Sequence, residues 1–288
     1  MTTRLQPIIL IGAGRSGTKF VRDCLNASPE VARVPYDVSY VWRTGNDACP
    51  HDELTRADAK HAPKDAIRRT LERMARSEGK HAARFMVEKS VPNALRPGFV
   101  DAVMPDARFI HLVRDGRAVT ESSMRMWQAP RETGHILRKL RYFPLTNYRY
   151  AFWYAGDLLR SKLSREAKPP MWGPRYDGME KDIADALPLG VICARQWRIC
   201  VERSLAQLAE LSPERVHQIR YEDLASNAER MAELAAFVGI PDPSVVVKRF
   251  RTSLERDNVA KWRDKMSAAD AVLVEHELGG VLGKLGYS

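Results

Sequence analysis

The residues best equipped for chemistry lie close to the start, in Gly12-Ala13-Gly14-Arg15-Ser16-Gly17-Thr18-Lys19. Three glycines let backbone N–H groups come close to a ligand, and two cations, Arg15 and Lys19, stand among them. A glycine turn that opens a helix aims free amides and the positive end of the helix dipole at an anion. The stretch therefore reads as a cradle for phosphate or sulfate, with a plain glycine-rich turn as its structural alternative. Gly12, Gly14 and Gly17 satisfy the dinucleotide pattern G-x-G-x-x-G, which is weak alone. Gly12 and Gly17 also fit the NTPase loop G-x-x-x-x-G-K-[ST], but Thr18 holds the lysine position and Lys19 comes one residue late.

Three later segments place charge after short apolar runs. Phe85-Met86-Val87 runs into Glu88-Lys89-Ser90. Arg108–Val113 runs into Arg114-Asp115-Gly116-Arg117, with Ser122 following in RDGRAVTES. Residues 216–220 run into Tyr221-Glu222-Asp223-Leu224. Ligands of open parallel sheets sit beyond the carboxyl ends of the strands, so these segments converge on the glycine loop if the runs are strands of one sheet. Glu222 and Asp223 read as structural, capping the next helix. His51, Asp52, Glu53, Asp58 and His61 lie in a polar stretch without a metal-ligand spacing, which reads as a solvated loop.

The patterning supplies elements to position these groups. Residues 8–11, 31–34, 85–87, 108–113 and 216–220 read as strands; 18–28, 64–78, 98–104, a segment from Ala118, 191–211, 227–238 and the tail 268–285 read as helices. Gly239 is a fitting helix stop, and prolines at 241 and 243 follow it. Strand–helix alternation predicts an α/β fold: a central parallel sheet flanked by helices, of the P-loop-like nucleotide-binding kind. Residues 127–190 change character, rich in Arg, Lys and aromatics, and read as an inserted helical lid carrying the acceptor site within one domain spanning 1–288. A net charge of +10 favours anionic ligands. No nucleic-acid module signature accompanies it. The four cysteines form no C-x-x-C pair and read as reduced thiols. No leader or run of about 18 apolar residues is present, which predicts a cytoplasmic chain without a transmembrane segment.

In combination, Arg15-Ser16-Gly17-Thr18-Lys19, Glu88-Lys89-Ser90, the Arg114/Ser122 pair and Tyr221-Glu222-Asp223-Leu224 resemble the sulfotransferase superfamily that uses 3′-phosphoadenylyl sulfate (PAPS). Its 5′-phosphosulfate loop reads [KR]-[SG]-G-T-x after the first strand. The resemblance implies that Arg15 is the basic residue of that loop, with Ser16, Gly17 and Thr18 as amide donors and Lys19 in the variable position. It implies Phe20 stacking on adenine, Arg114 and Ser122 holding the 3′-phosphate, and Tyr221 near the adenine. Glu88 takes the place of the general base, and Arg15 with Lys19 would neutralise the leaving phosphate. The family's Arg-Lys-Gly motif near the C-terminus is not evident; Lys261 or Arg263 stand nearest to it. The implied reaction moves a sulfuryl group to an acceptor hydroxyl, with a carbohydrate or glycolipid among the acceptors considered, and requires no metal. A P-loop small-molecule kinase and an NAD(P)-dependent oxidoreductase remain as alternatives. The first lacks a clear magnesium site, and the second leaves Arg114, Ser122 and YEDL unexplained. Acceptor identity and oligomeric state are not legible.

Overall fold

Successive side chains of a strand point to opposite faces, and the first strand, β1 (Gln6–Ile11), is apolar on both. Ile9 and Ile11 enter one core while Ile8 and Leu10 enter the other. Such a strand is stable only in the middle of a sheet covered by helices on both sides. The computed structural model, which describes residues 4–129, 172–255 and 261–287, has that architecture. With β2 (Val31–Arg33), β3 (Phe85–Glu88), β4 (Arg108–Val113) and β5 (Val216–Arg220), the strands form an all-parallel sheet in the order β2-β3-β1-β4-β5. The chain leaves β1 for one edge, returns through β3, and crosses to the other side at β4. The carboxyl ends of β3, β1 and β4 therefore flank the crevice where parallel α/β folds bind ligands.

Helix α1 (Thr18–Leu25) follows β1, and α2 (Ser39–Trp42) and α3 (Lys64–Arg76) connect β2 to β3. Helix α4 (Pro97–Val103) precedes β4, and α5 (Gly116–Gln128) leaves it. Beyond residue 171 come α6 (Met179–Ala184) and the long α7 (Leu189–Leu208). After β5 the chain forms α8 (Tyr221–Ser226), α9 (Glu229–Val238) and α10 (Ser244–Ser253), then α11 (Trp262–Lys265), α12 (Ala268–Leu278) and α13 (Gly280–Lys284). Trp42, Phe99 and Trp197 fill one core; Val21, Leu234 and Phe250 fill the other.

The expected alternation is present, with boundary differences that have local causes. Helix α1 stops at Leu25 because the N–H groups of Ala27 and Ser28 turn back onto Cys24 O and Leu25 O. The tail is two helices, broken where Gly279 adopts φ 51°. The YEDL segment is itself helical, and a further helix, α10, begins directly after Pro243. Trp127, assigned to the lid from sequence, is a buried residue in the last turn of α5. Residues 172–190 of the expected lid are described and hold α6, while residues 130–171 lie outside the described residues. None of the described helices is long and apolar enough to cross a membrane.

One buried group ties three elements together. His111 on β4 is 1% exposed, and its ring nitrogens lie 2.9 Å from Ser204 Oγ on α7 and 3.1 Å from Gln218 Oε1 on β5. Burial disfavours the imidazolium and lowers the pKa from 6.5 to about 4, against the opposing hydrogen bond with Gln218. The unfolded chain protonates this group below 6.5 while the native chain does not. Its contribution is therefore complete above that pH and is lost as pH falls toward 4. Urea unfolding of wild type and His111→Gln across this range should show wild type losing stability relative to the variant as pH falls, by roughly 3 kcal/mol at most. A pH-independent difference would mean that His111 does not titrate this way.

Candidate active site

The glycine loop is shaped by close approach. A Cβ at Gly12 would lie 2.6 Å from Leu112 O on the neighbouring β4, so no side chain fits there. Past it the chain reverses through two left-handed residues, Arg15 at φ 70° and Gly17 at φ 92°. The first intrahelical bond of α1 runs from Val21 N–H to Gly17 O, 3.1 Å, so the amides of Thr18, Lys19 and Phe20 form the helix's open N-terminal turn. Ser16 departs from its expected role. Its N–H closes the turn onto Ala13 O at 3.2 Å, and its hydroxyl is buried without a hydrogen-bond partner among the described residues.

Two arginines from different strand ends meet beside this loop. Arg15 Nε donates to Ser122 Oγ on α5 at 2.9 Å, and Arg114 Nη1 donates to Arg15 O at 3.0 Å. The Arg114 guanidinium lies 4.6 Å from the centroid of the Tyr221 ring, which packs directly on Gly17. The pKa of Arg15 is lowered, first by burial and then by the charges of Arg125 and Arg114. A bound anion would relieve that repulsion. The scaffold beneath is specific. Asp115 caps α5 by accepting from Arg117 N–H at 2.9 Å, and Trp197 Nε1–H donates to Arg114 O at 3.2 Å. Glu222 accepts from Asp115 N–H at 3.0 Å and from the Tyr287 hydroxyl at 2.7 Å. Glu222 is thus structural, as expected, though it braces the β4–α5 junction rather than its own helix.

A cleft of about 540 Å³ opens over the loop, and Arg15, Gly17, Thr18, Lys19, Phe20, Arg114 and Tyr221 line it. Ser16 and Ser122 stand behind this wall, Ser122 by way of Arg15. Lys19 is at the rim, 78% exposed, with its ammonium 3.4 Å from Asp23. Phe20 packs on Phe250 of α10, ring centroids 5.3 Å apart. Lys89, from a segment expected to converge on the glycine loop, and Trp172, from the expected lid, also line the cleft, whereas Arg249 and Ser253 escape the sequence reading. Lys89 is largely buried, and its ammonium lies 3.7 Å from Asp37 Oδ2. Burial lowers the Lys89 pKa and Asp37 opposes that shift. The signal for Arg249 and Ser253 is present in the apolar spacing Val246, Val247, Phe250 after Pro243, which marks a helix with one buried face. Trp172 stands over the loop: a Cβ at Gly14 would meet its ring at 3.2 Å.

Glu88, expected as the general base, does not join this group. It pairs in register with Ile9, below the loop rather than level with it, and is 0% exposed. Its oxygens accept from the Ser90 hydroxyl at 2.5 Å and Asn93 Nδ2 at 3.1 Å. Burial pushes its pKa up to about 7, with the Ser90 hydrogen bond opposing. The correction has a geometric cause: β1 continues to Ile11, whereas β3 stops opposite Ile9, and it is the residues past its end, Lys89 and Val91, that line the cleft.

Fold and site together define a parallel α/β protein with a cation-lined cleft over the glycine loop. The sulfotransferase family model matches residues 7–156, and the chain belongs to that family. Its structure is similar to the sulfotransferase domain from the curacin biosynthetic pathway, with 17% identity, a TM-score of 0.54, and coverage of 100% of this chain and 99% of that one. It is similar to the sulfotransferase domain of the Synechococcus PCC 7002 olefin synthase, with 13% identity, a TM-score of 0.52, and coverage of 99% and 96%. Sulfotransferase STF9 from Mycobacterium avium shows 14% identity, a TM-score of 0.55, and coverage of 99% and 78%. At these identities the likenesses speak to the fold. No curated protein sequence matches the chain. Family membership sets aside the dinucleotide and NTPase alternatives for the loop.

Gly17 carries two constraints at once: its positive φ, and a Tyr221 ring only 2.7 Å from where a Cβ would lie. Gly17→Ala should lower stability by about 1–2 kcal/mol from backbone strain alone, and more where Tyr221 must move. Chemical denaturation would measure it; an unchanged midpoint would contradict this account of the loop.

Proposed function

We propose that the chain transfers a sulfuryl group from PAPS to an acceptor hydroxyl. The observation that carries this reading is the pairing of Arg15 and Arg114 through Arg15 O, with Ser122 on Arg15 Nε, at the open turn of α1. An ordinary nucleotide needs one anion site, whereas a donor with a 5′-phosphosulfate and a 3′-phosphate needs two. The loop with Arg15 suits the first, and Arg114, from another strand end, suits the second. Phe20 and Tyr221 offer ring faces for adenine, with Arg249 and Ser253 beside Phe20 in the same cleft. The donor supplies an activated sulfur; the chain's residues position it and balance charge.

Arg15 and the first-turn amides of α1 offset charge growing on the leaving phosphate, and Lys19 adds to this from the rim. Lys89, buried at the cleft wall, meets the sulfuryl oxygens. Asp37, partly exposed and beside Lys89, takes over from Glu88 as the base for the acceptor hydroxyl. Its Oδ2 also accepts from Val91 N–H at 2.8 Å, which fixes the carboxylate toward the cleft wall. An acceptor entering past Val91 and Trp172 meets an apolar and aromatic approach, compatible with the ring faces of a carbohydrate or glycolipid. We read residues 1–288 as one domain serving this reaction.

Calorimetry should show adenosine 3′,5′-bisphosphate binding without added metal. Arg114→Ala should weaken it by about 1.5–3 kcal/mol, the size of a charged hydrogen bond. Equal affinity for adenosine 5′-phosphate and the bisphosphate in wild type would sink the two-site reading. With any hydroxyl acceptor that supports turnover, Asp37→Asn should lower kcat by about 100-fold or more and leave bisphosphate affinity intact. Turnover near the wild-type rate would remove Asp37 from the mechanism.

A further inference from the structure

We propose that Glu88 is a positioning residue: it knots the loop after β2 to the loop after β3 and so sets Lys89 against the sulfuryl end of the donor. The inference rests on the sulfotransferase reading above and adds a determinant of that site.

The knot has two strands. The Ser90 hydroxyl donates to Glu88 Oε1 at 2.5 Å, and Ser90 Oγ in turn accepts from Val38 N–H at 3.0 Å. Asn93 Nδ2 donates to Glu88 Oε2 at 3.1 Å, while Asn93 Oδ1 accepts from Arg96 Nε at 3.0 Å. Arg96 Nη2 then donates to Ser39 Oγ at 3.0 Å. Both routes begin at Glu88 and end in the residues directly after Asp37. Asp37 closes the circuit by accepting from Val91 N–H at 2.8 Å and facing Lys89 Nζ at 3.7 Å. Lys89 and Val91 are the two residues of this loop that line the cleft. Glu88 itself is wholly enclosed, so it acts on the donor through them.

The donor pattern explains why a carboxylate stands here. Asn93 must present its amide N–H group to Glu88, because its carbonyl is held by Arg96. The Ser90 oxygen, already accepting from Val38, presents its proton. Two converging donors require a group with two acceptor oxygens. A glutamine would satisfy Ser90 but set its NH₂ against that of Asn93, and a buried unmatched pair of this kind shifts the loop or loses the bond.

The test compares affinities for PAPS and for adenosine 3′,5′-bisphosphate, which differ only in the sulfuryl group. Lys89→Met serves as the yardstick, lowering affinity for PAPS and sparing the bisphosphate. Glu88→Gln should follow it, with PAPS binding about tenfold weaker and bisphosphate binding within about twofold of wild type. Adding Asn93→Asp to Glu88→Gln should restore the preference for PAPS. The new amide then donates to the carboxylate at position 93, whose second oxygen still accepts from Arg96. A catalytic base at 88 predicts the opposite: Glu88→Gln would leave the PAPS preference unchanged. That result overturns this inference alone, and so does failure of the double variant to regain the preference. Should Glu88→Gln not fold, as judged by its melting temperature and bisphosphate binding, the double variant against wild type decides the matter by the same criterion. Wild type that binds neither nucleotide overturns the donor reading and this inference with it.

Discussion

Holding two guanidinium groups together at the carboxyl edge of a sheet is electrostatically unfavourable, and much of the surrounding structure exists to enforce it. Arg15 sits in a left-handed conformation that costs about 1–2 kcal/mol for a residue with a side chain. Its charge is opposed by Arg114 and Arg125. Against this work the Ser122 hydroxyl, the carbonyl of Arg15 itself and the face of Tyr221. Beneath them, Glu222 links the start of α5 to the C-terminal Tyr287, whose ring in turn carries the Arg220 guanidinium at 4.3 Å. Strain of this kind persists only where neighbouring packing over-determines it, which is characteristic of ligand sites.

The opposite flank of the crevice solves a related problem by burial. Glu88 and Lys89 are consecutive, so they leave the strand end on opposite sides. The carboxylate goes into the core and the ammonium to the cleft wall. Nearby, Asp52 gathers cations of its own: Arg43 Nη1 lies 3.1 Å from Asp52 Oδ1, and Arg175 N–H donates to Asp52 Oδ2 at 2.9 Å. That contact joins the segment entering α6 to the polar stretch before α3. The loops around the cleft are thus fixed by buried polar groups with defined partners, which give direction as well as cohesion.

Much of this is legible from residue order. Four apolar residues running into glycines announce a central strand and its loop, and β4 and β5 keep the bounds that their patterns indicate. The Arg15, Arg114 and Tyr221 segments converge because parallel topology brings strand ends together. The position of Glu88 is not legible, since it depends on how far β3 climbs relative to β1, a matter of tertiary register. Ser16 differs from its expected part because the loop's internal turn engages its amide. Helix α10, and with it Arg249 and Ser253, is hidden by the two prolines that follow the Gly239 cap of α9: Pro243 is the N-cap of α10.

Register has a thermodynamic consequence as well. Because β3 stops short, Glu88 is sealed in the core with a pKa near 7, while His111, on the adjacent side of β1, is sealed with one near 4. Their linkages have opposite sign. A carboxyl with a raised native pKa favours the fold most below its unfolded value of 4.5, and that advantage is lost as pH rises through about 7. The imidazole behaves in the reverse sense. In mildly acidic solution the native chain carries a proton on Glu88 that the unfolded chain lacks, and the unfolded chain carries one on His111 that the native chain lacks. Between these values the two groups therefore pull the pH dependence of stability in opposite directions. Replacing one of them exposes the slope of the other.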